Sequence, residues 1–226
     1  MTSYPISPWA HRDYWQQRFE GHDTPWDLDR PSAVLLESIR RLGHVGCSVR
    51  GASVLIAGAG QGSDAIELAR QGAHVTAIEW SSAAAATIRH RYDEVRSALS
   101  GSLEVIEEDF FSVSHRTFDL AAEHTFFCAI DPTMRARYAT TISTRIRPGG
   151  YLFGNFFVVS AEEAAKLPNL SLSRTGEGPP FATTSLELRT LLEPFFEVCV
   201  LEASATSDPG RRPGLEWIAI FKRRGP

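Results

Sequence analysis

The segment Val54-Leu-Ile-Ala57 is an apolar run that breaks into glycines at every second position, Gly58, Gly60 and Gly62. A helix-forming stretch then leads to a second apolar run, which stops at an acid, Glu79. Strand, glycine turn, helix and a second strand tipped by a carboxylate make a βαβ unit, and such units build parallel sheets with helices on their faces. Glycines let the backbone approach a ligand closely. Ligands of such sheets bind outside the carboxyl ends of the strands, so an adenosine-bearing cofactor is expected there.

The glycine spacing selects among such cofactors. A dinucleotide site uses G-x-G-x-x-G to aim a helix amino terminus at a pyrophosphate. Here Ser63 stands in the last glycine's place and Gly62 comes one residue early. G-x-G-x-G is the habit of S-adenosylmethionine (SAM) methyltransferases, whose cofactor has no phosphate. Gly58, Gly60 and Gly62 are then expected beside the methionine and ribose parts of SAM, with Glu79 accepting from both ribose hydroxyls. The same spacing, and the lack of a Ser-Tyr-Lys proton relay, argue against a nicotinamide dehydrogenase.

Size and composition set outer bounds. The 226 residues, 43% hydrophobic and 22% charged, suit one α/β domain spanning 1–226. A net charge of −4 gives no reason to expect nucleic acid or an anionic membrane as partner. Cys47, Cys128 and Cys199 are scattered, and no Cys/His cluster suggests a disulfide framework or a metal. The amino terminus lacks a basic n-region and an apolar h-region, and no apolar run approaches a membrane span. A cytoplasmic protein is expected, and a monomer, because no long exposed apolar stripe is evident.

Strands are expected at 53–57, 74–79, 103–107, 118–122, 151–159, 196–201 and 215–222, and helices at 32–42, 63–70, 82–99, 132–146 and 184–192. The last two strands, joined by a loop, could form an antiparallel edge. This is a doubly wound, mostly parallel, seven-stranded Rossmann-like sheet. The residues following the first four strands converge on one crevice: Gly58–Gly62, Glu79 with Trp80, Asp109 with Phe110, and Glu123 with His124. Asp109 could accept from an adenine amino group or simply close a turn, and Trp80 could flank the adenine or close the core. His124 lies where the transferred methyl would be, as a base or as a polar wall against the cofactor. Residues 1–30 are aromatic-rich, and Trp15, Phe19 and Trp26 are spaced along one helical face, either packed on the domain or forming a lid. Cys128, in the apolar run Phe126–Ile130, reads as a buried inert thiol. The arginines at 211, 212, 223 and 224 read as a solvated basic surface.

Several segments taken in order carry a family resemblance. They are Trp15-(x3)-Phe19-(x6)-Trp26-Asp27, the Gly58–Asp64 loop, Glu108-Asp-Phe-Phe111, Thr125-Phe-Phe-Cys-Ala-Ile-Asp-Pro132, Arg147-Pro-Gly-Gly150 and Gly178-Pro-Pro-Phe181. Over residues 12–222 the chain resembles the thiopurine S-methyltransferase superfamily, most closely its branch of thiol and halide (thiocyanate) methyltransferases. The resemblance implies a class I SAM-dependent methyltransferase fold, with Trp15, Phe19 and Trp26 lying over SAM as a lid. It also implies that Gly58, Glu79, Asp109, Phe110 and His124 contact the cofactor. That branch usually has Asp-Tyr, and the thiopurine enzymes Asp-Arg, where Glu123-His124 stands here. The missing tyrosine counts against simple halide transfer and the missing arginine against thiopurines, while a histidine suits an acceptor that must lose a proton, such as a thiol. The expected reaction is direct in-line methyl transfer to a small soft nucleophile: thiol, hydrosulfide, thiocyanate or halide. The alternatives are a thiopurine-like heterocycle, a selenium or tellurium oxyanion, a natural-product thiol or amine as acceptor, or a non-catalytic SAM-binding protein.

Overall fold

The computed structural model describes residues 7–173, 176–207 and 214–225. Seven strands form one sheet: β1 (Ser53–Ala57), β2 (His74–Glu79), β3 (Ser102–Glu107), β4 (Phe118–His124), β5 (Ile146–Phe157), β6 (Phe196–Ala203) and β7 (Glu216–Arg223). Their order is β3-β2-β1-β4-β5-β7-β6. The first five run parallel, while β7 pairs antiparallel with both β5 and β6. The expected mostly parallel sheet with an antiparallel edge is therefore what forms. The strand order reverses beside β1, where β1 pairs with both β2 and β4, and an open α/β sheet offers its ligand crevice at such a point.

The strands read as near-continuous apolar runs because both faces are covered. Val54, Ile56, Leu120, Ala122 and Phe153 pack under α2 (Ala33–His44), α3 (Ser63–Arg70) and α4 (Ser82–Val95). Leu55, Ala57, Ala121, Leu152 and Phe156 pack on the opposite side under α5 (Arg135–Arg145) and α7 (Ser185–Leu192). Ser32, Ser81 and Thr184 each cap a helix by accepting a backbone N–H.

Several boundaries differ from expectation for local reasons. α4 stops at Val95, followed by a 3-10 turn at Arg96–Ala98. The expected 132–146 helix opens as a 3-10 turn at Pro132–Met134. Arg147–Gly150 does not precede β5 but lies inside it, at a register shift between Phe118 and Leu120 of β4. Gly154 is held at φ 143° with its Cα face against Glu123, where a Cβ would sit 1.9 Å from the carbonyl oxygen, so no other residue fits. The irregular stretch after β5 holds a short helix, α6 (Ala161–Ala164), with a Ser160/Glu163 capping box.

Arg224 is exposed, as expected of a solvated surface, and Arg223 is half-buried, and both also act as structural ties. Arg223 donates to the carbonyls of Ser143 and Phe195, and Arg224 to those of Glu193 and Phe196. Residues 211 and 212 lie outside the described residues.

Arg135, 1% exposed, holds the Phe181–Glu187 segment to α5. It donates from one nitrogen to both Glu187 oxygens (3.0 Å each), and from the other to the carbonyls of Phe181 (3.2 Å) and Ala182 (3.1 Å). Its guanidinium also stacks on Phe127. Replacing it by Met removes those donors and leaves two buried carbonyls unmet. We expect Arg135→Met to cost about 3 kcal/mol in urea unfolding, a figure at the low end for breaking a buried pair because Glu187 is partly exposed.

Candidate active site

The carboxyl ends of the parallel strands open into a cavity of about 810 Å³, within the span expected of ligand pockets. Its floor is the loop Gly58–Gly62, whose three glycines all have positive φ. At Gly58 (φ 59°) the need is also steric, because a Cβ would lie 2.4 Å from the Phe126 ring. At Gly60 nothing lies within 4 Å of a Cβ position, so the backbone there faces open space.

Glu79 ends β2 with its side chain almost buried (5% exposed). Gly60 N–H donates to its Oε2 (2.8 Å) and Ser81 N–H to its Oε1 (2.9 Å), tying the glycine loop to the tip of β2. Burial pushes its pKa up to about 7, against those backbone N–H groups, which favour the charged form. Trp80 follows it in the cavity wall. Asp109 and Phe110 line the wall beyond β3. The Asp109 carboxylate accepts from Phe111 N–H (3.0 Å) and the Ser112 hydroxyl (3.2 Å), which makes it a turn acid as well as a lining group.

Glu123 and His124 part company. Neighbours on a strand face opposite sides of the sheet. Glu123 shares the face of Ala121 and points under α5, where Oε2 accepts from the Tyr138 hydroxyl (2.7 Å). Its Oε1 accepts from Phe126 and Phe127 N–H (2.9 and 2.8 Å). Burial raises its pKa to about 7. The expectation that Glu123 contacts cofactor is therefore corrected: its carboxylate braces the turn after β4 and does not line the cavity. His124 shares the other face and does line it. Its Nδ1 lies 2.5 Å from Oδ2 of Asp64, at the start of α3. In the sequence Asp64 stands out only as the end of the Gly58–Asp64 loop. Nothing local in sequence links it to a histidine 60 positions on. Thr125, next in the chain, has φ 64°, an unusual conformation for a β-branched residue. Strain of this kind costs on the order of 1–3 kcal/mol and gathers at functional sites. Here it swings the chain from β4 into the cavity wall.

The amino-terminal segment crosses the cavity as a strap. The single helical face expected for Trp15, Phe19 and Trp26 is corrected, because α1 (Arg12–Glu20) stops at Glu20 and the chain reverses at Gly21 and His22 (φ 55°). Trp26 folds back edge-on against Trp15 (5.7 Å) and Phe19 (5.9 Å), with Arg18 stacked on its ring (4.7 Å). Trp15 donates to the Trp9 carbonyl (2.9 Å), and Trp9 reaches the far wall through Asp131 (3.3 Å) and the Phe181 ring (5.4 Å). Gln16 docks α1 on the start of α4 by accepting from the Ser81 hydroxyl (2.8 Å) and Ala83 N–H (3.3 Å). Trp9, Trp15, Phe19 and Trp26 all line the cavity. Its remaining end is lined by Cys128, Phe157, Leu172, Pro179 and Pro180. Cys128 is buried, and its thiol donates to the Thr125 carbonyl (3.3 Å), yet it faces the cavity rather than the core alone.

A backbone cradle at Gly58–Gly62, a buried carboxylate at Glu79 and aromatic walls fit an adenosine-bearing sulfonium cofactor. Comparison with known proteins points the same way. The family model described as thiopurine S-methyltransferase matches residues 10–219. An Arabidopsis thaliana protein named "Probable thiol methyltransferase 2" is 28% identical over 92% of this chain and 84% of its own length. A "Thiocyanate methyltransferase 1" of the same plant is 24% identical over the same shares. The structure of Burkholderia thailandensis 1,6-didemethyltoxoflavin-N1-methyltransferase with bound S-adenosylhomocysteine superposes with a TM-score of 0.69 at 18% identity, covering 100% of this chain and 94% of that one. That likeness is one of fold.

Proposed function

The chain belongs to the thiopurine S-methyltransferase family and is a SAM-dependent methyltransferase, and from that premise we propose that its acceptor is a small soft nucleophile, a thiol best of all. The observation that carries this reading is an imidazole, His124, lining the same cavity as Cys128, Phe157, Leu172, Pro179 and Pro180, a mostly apolar, sulfur-bearing end to which Asp131, Ser173 and Glu177 also contribute. Such a lining suits a polarisable, weakly hydrated group, and the imidazole suits one that must shed a proton. The resemblance to a thiol methyltransferase supports the same acceptor.

When bound, SAM supplies a methyl group on a sulfonium whose sulfur leaves neutral, so no acid is needed. Gly58, Gly60 and Gly62 would cradle the methionine and ribose parts and Glu79 the ribose hydroxyls. Asp109, Phe110 and Trp80 would hold the adenine end. Trp15, Phe19 and Trp26 would cover the cofactor and keep water from the nucleophile, which raises an anion's reactivity. Holding the nucleophile in line with the methyl is worth up to about 10 kcal/mol of barrier. His124 would take the thiol proton, because a thiol of pKa about 8.5 is only a few per cent thiolate at neutral pH.

The cavity of about 810 Å³ holds cofactor and acceptor together, and its lining beyond the cofactor loop, from Cys128 and Phe157 to Leu172, Pro179 and Pro180, supports one further reading, an acceptor bulkier than thiocyanate such as a thiol-bearing heterocycle or natural product. One assay separates the two. S-adenosylhomocysteine release is measured with iodide, thiocyanate, hydrosulfide, an aliphatic thiol, thiophenol, a thiopurine and selenite, with headspace analysis of methylated products. Small thiols should be the fastest acceptors. Turnover confined to the thiopurine would overturn the small-thiol reading, and tight SAM binding without turnover of any of these acceptors would overturn it too, in favour of a larger specialised acceptor or a non-catalytic SAM-binding protein.

A further inference from the structure

We propose that Asp64 is the positioning residue that makes His124 a base, and so divides acceptors into those that carry a proton and those that do not. The inference rests on the thiol reading above. Asp64 Oδ2 lies 2.5 Å from His124 Nδ1, and the two side chains are only 12% and 9% exposed. The other carboxylate oxygen, Oδ1, accepts from Ser32 N–H (2.9 Å), and Ser32 is fully buried as the cap of α2. Three elements thus meet at one carboxylate: the starts of α2 and α3 and the end of β4. Asp64 stands in the first turn of α3, where the helix dipole favours negative charge.

An ionised carboxylate only accepts hydrogen bonds, so a neutral imidazole beside it carries its single hydrogen on Nδ1 and its lone pair on Nε2. Nε2 is itself buried, so the acceptor has to reach it from the cavity wall; in the proposed step the thiol S–H bond breaks, the proton passes to Nε2, and the electron pair stays on sulfur as the attacking thiolate. The imidazolium so formed remains paired with Asp64. Thiocyanate and iodide arrive as anions with no proton to give and make no use of the pair. The acceptor range of this chain is therefore set by a residue on the cofactor loop's own helix, outside the acceptor end of the cavity.

The test uses the full chain with S-adenosylhomocysteine or SAM bound. Asp64→Asn keeps an oxygen for Ser32 N–H and turns an amide donor toward Nδ1, which forces the ring hydrogen to Nε2. Long-range proton–nitrogen NMR correlation should show His124 with its hydrogen on Nδ1 in the native protein and on Nε2 in the variant. Turnover with an aliphatic thiol should fall about 100-fold or more, while turnover with thiocyanate and SAM affinity change less than about threefold. The double variant Asp64→Asn/His124→Asn should be no slower with thiol than His124→Asn alone. Equal losses with thiol and thiocyanate, or a native His124 with its hydrogen on Nε2, would overturn the proposal. If the native enzyme methylates neither acceptor, the thiol reading fails, and the NMR result still decides what Asp64 does to the ring.

Discussion

Glu79→Ala is expected to weaken SAM binding by at least about 100-fold, the loss of charge-assisted hydrogen bonds worth about 1.5–3 kcal/mol each. The carboxylate is fixed by Gly60 and Ser81 N–H, so it meets a ribose without reorganising. Removing it also cuts the tie between the glycine loop and β2. The binding should depend on pH in a definite direction. Burial places the Glu79 pKa at about 7 in the ligand-free protein, and ribose hydroxyls donate to the ionised form. SAM affinity should therefore rise from pH 6 to pH 8, with proton release at pH 6 that vanishes by about pH 8.5. Stability runs the other way. A carboxyl raised from 4.5 to about 7 stabilises the ligand-free fold fully below pH 4.5 and loses that contribution as pH climbs through 7. Glu123 titrates in the same window but does not line the cavity, so Glu79→Gln should abolish the pH dependence of binding while Glu123 remains. Calorimetry in buffers of different ionisation enthalpy measures both affinity and proton release. An affinity flat between pH 6 and 8 would remove Glu79 from the ribose site.

His124→Asn is expected to lower turnover with a thiol by about 100- to 10,000-fold, the range for a general base, while SAM affinity stays within a few fold. Asn keeps a polar group near Asp64 without a nitrogen able to take the proton. A large loss of SAM affinity with a modest loss of turnover would reassign His124 to cofactor contact. An unchanged rate with thiol would mean that the thiolate forms without protein help.

The sheet was legible because its strands are buried on both faces and so read as apolar runs, and because the glycine loop needs backbone conformations that few other residues adopt. Other parts had no local signature. The Asp64–His124 pair joins residues 60 positions apart, and Asp64 resembles any acid in a helix's first turn. The fold-back of Trp26 depends on aromatic packing across the break at Gly21, where periodicity carries no information. The carbonyls bound by Arg223 and Arg224 belong to α5, to the turn after α7 and to the start of β6, unreadable from an Arg-rich terminus. The parting of Glu123 and His124 could have been anticipated, since neighbours on a strand cannot both face one crevice. Which of the two faced it required knowing which side α3 covers.

The most direct measurement supplies the native enzyme with SAM carrying a deuterated methyl group and with an aliphatic thiol. Mass spectrometry then follows the labelled thioether and S-adenosylhomocysteine together. The two should accumulate in equal amounts, faster than with thiocyanate or iodide. Saturable SAM binding with no labelled thioether and no S-adenosylhomocysteine would contradict it.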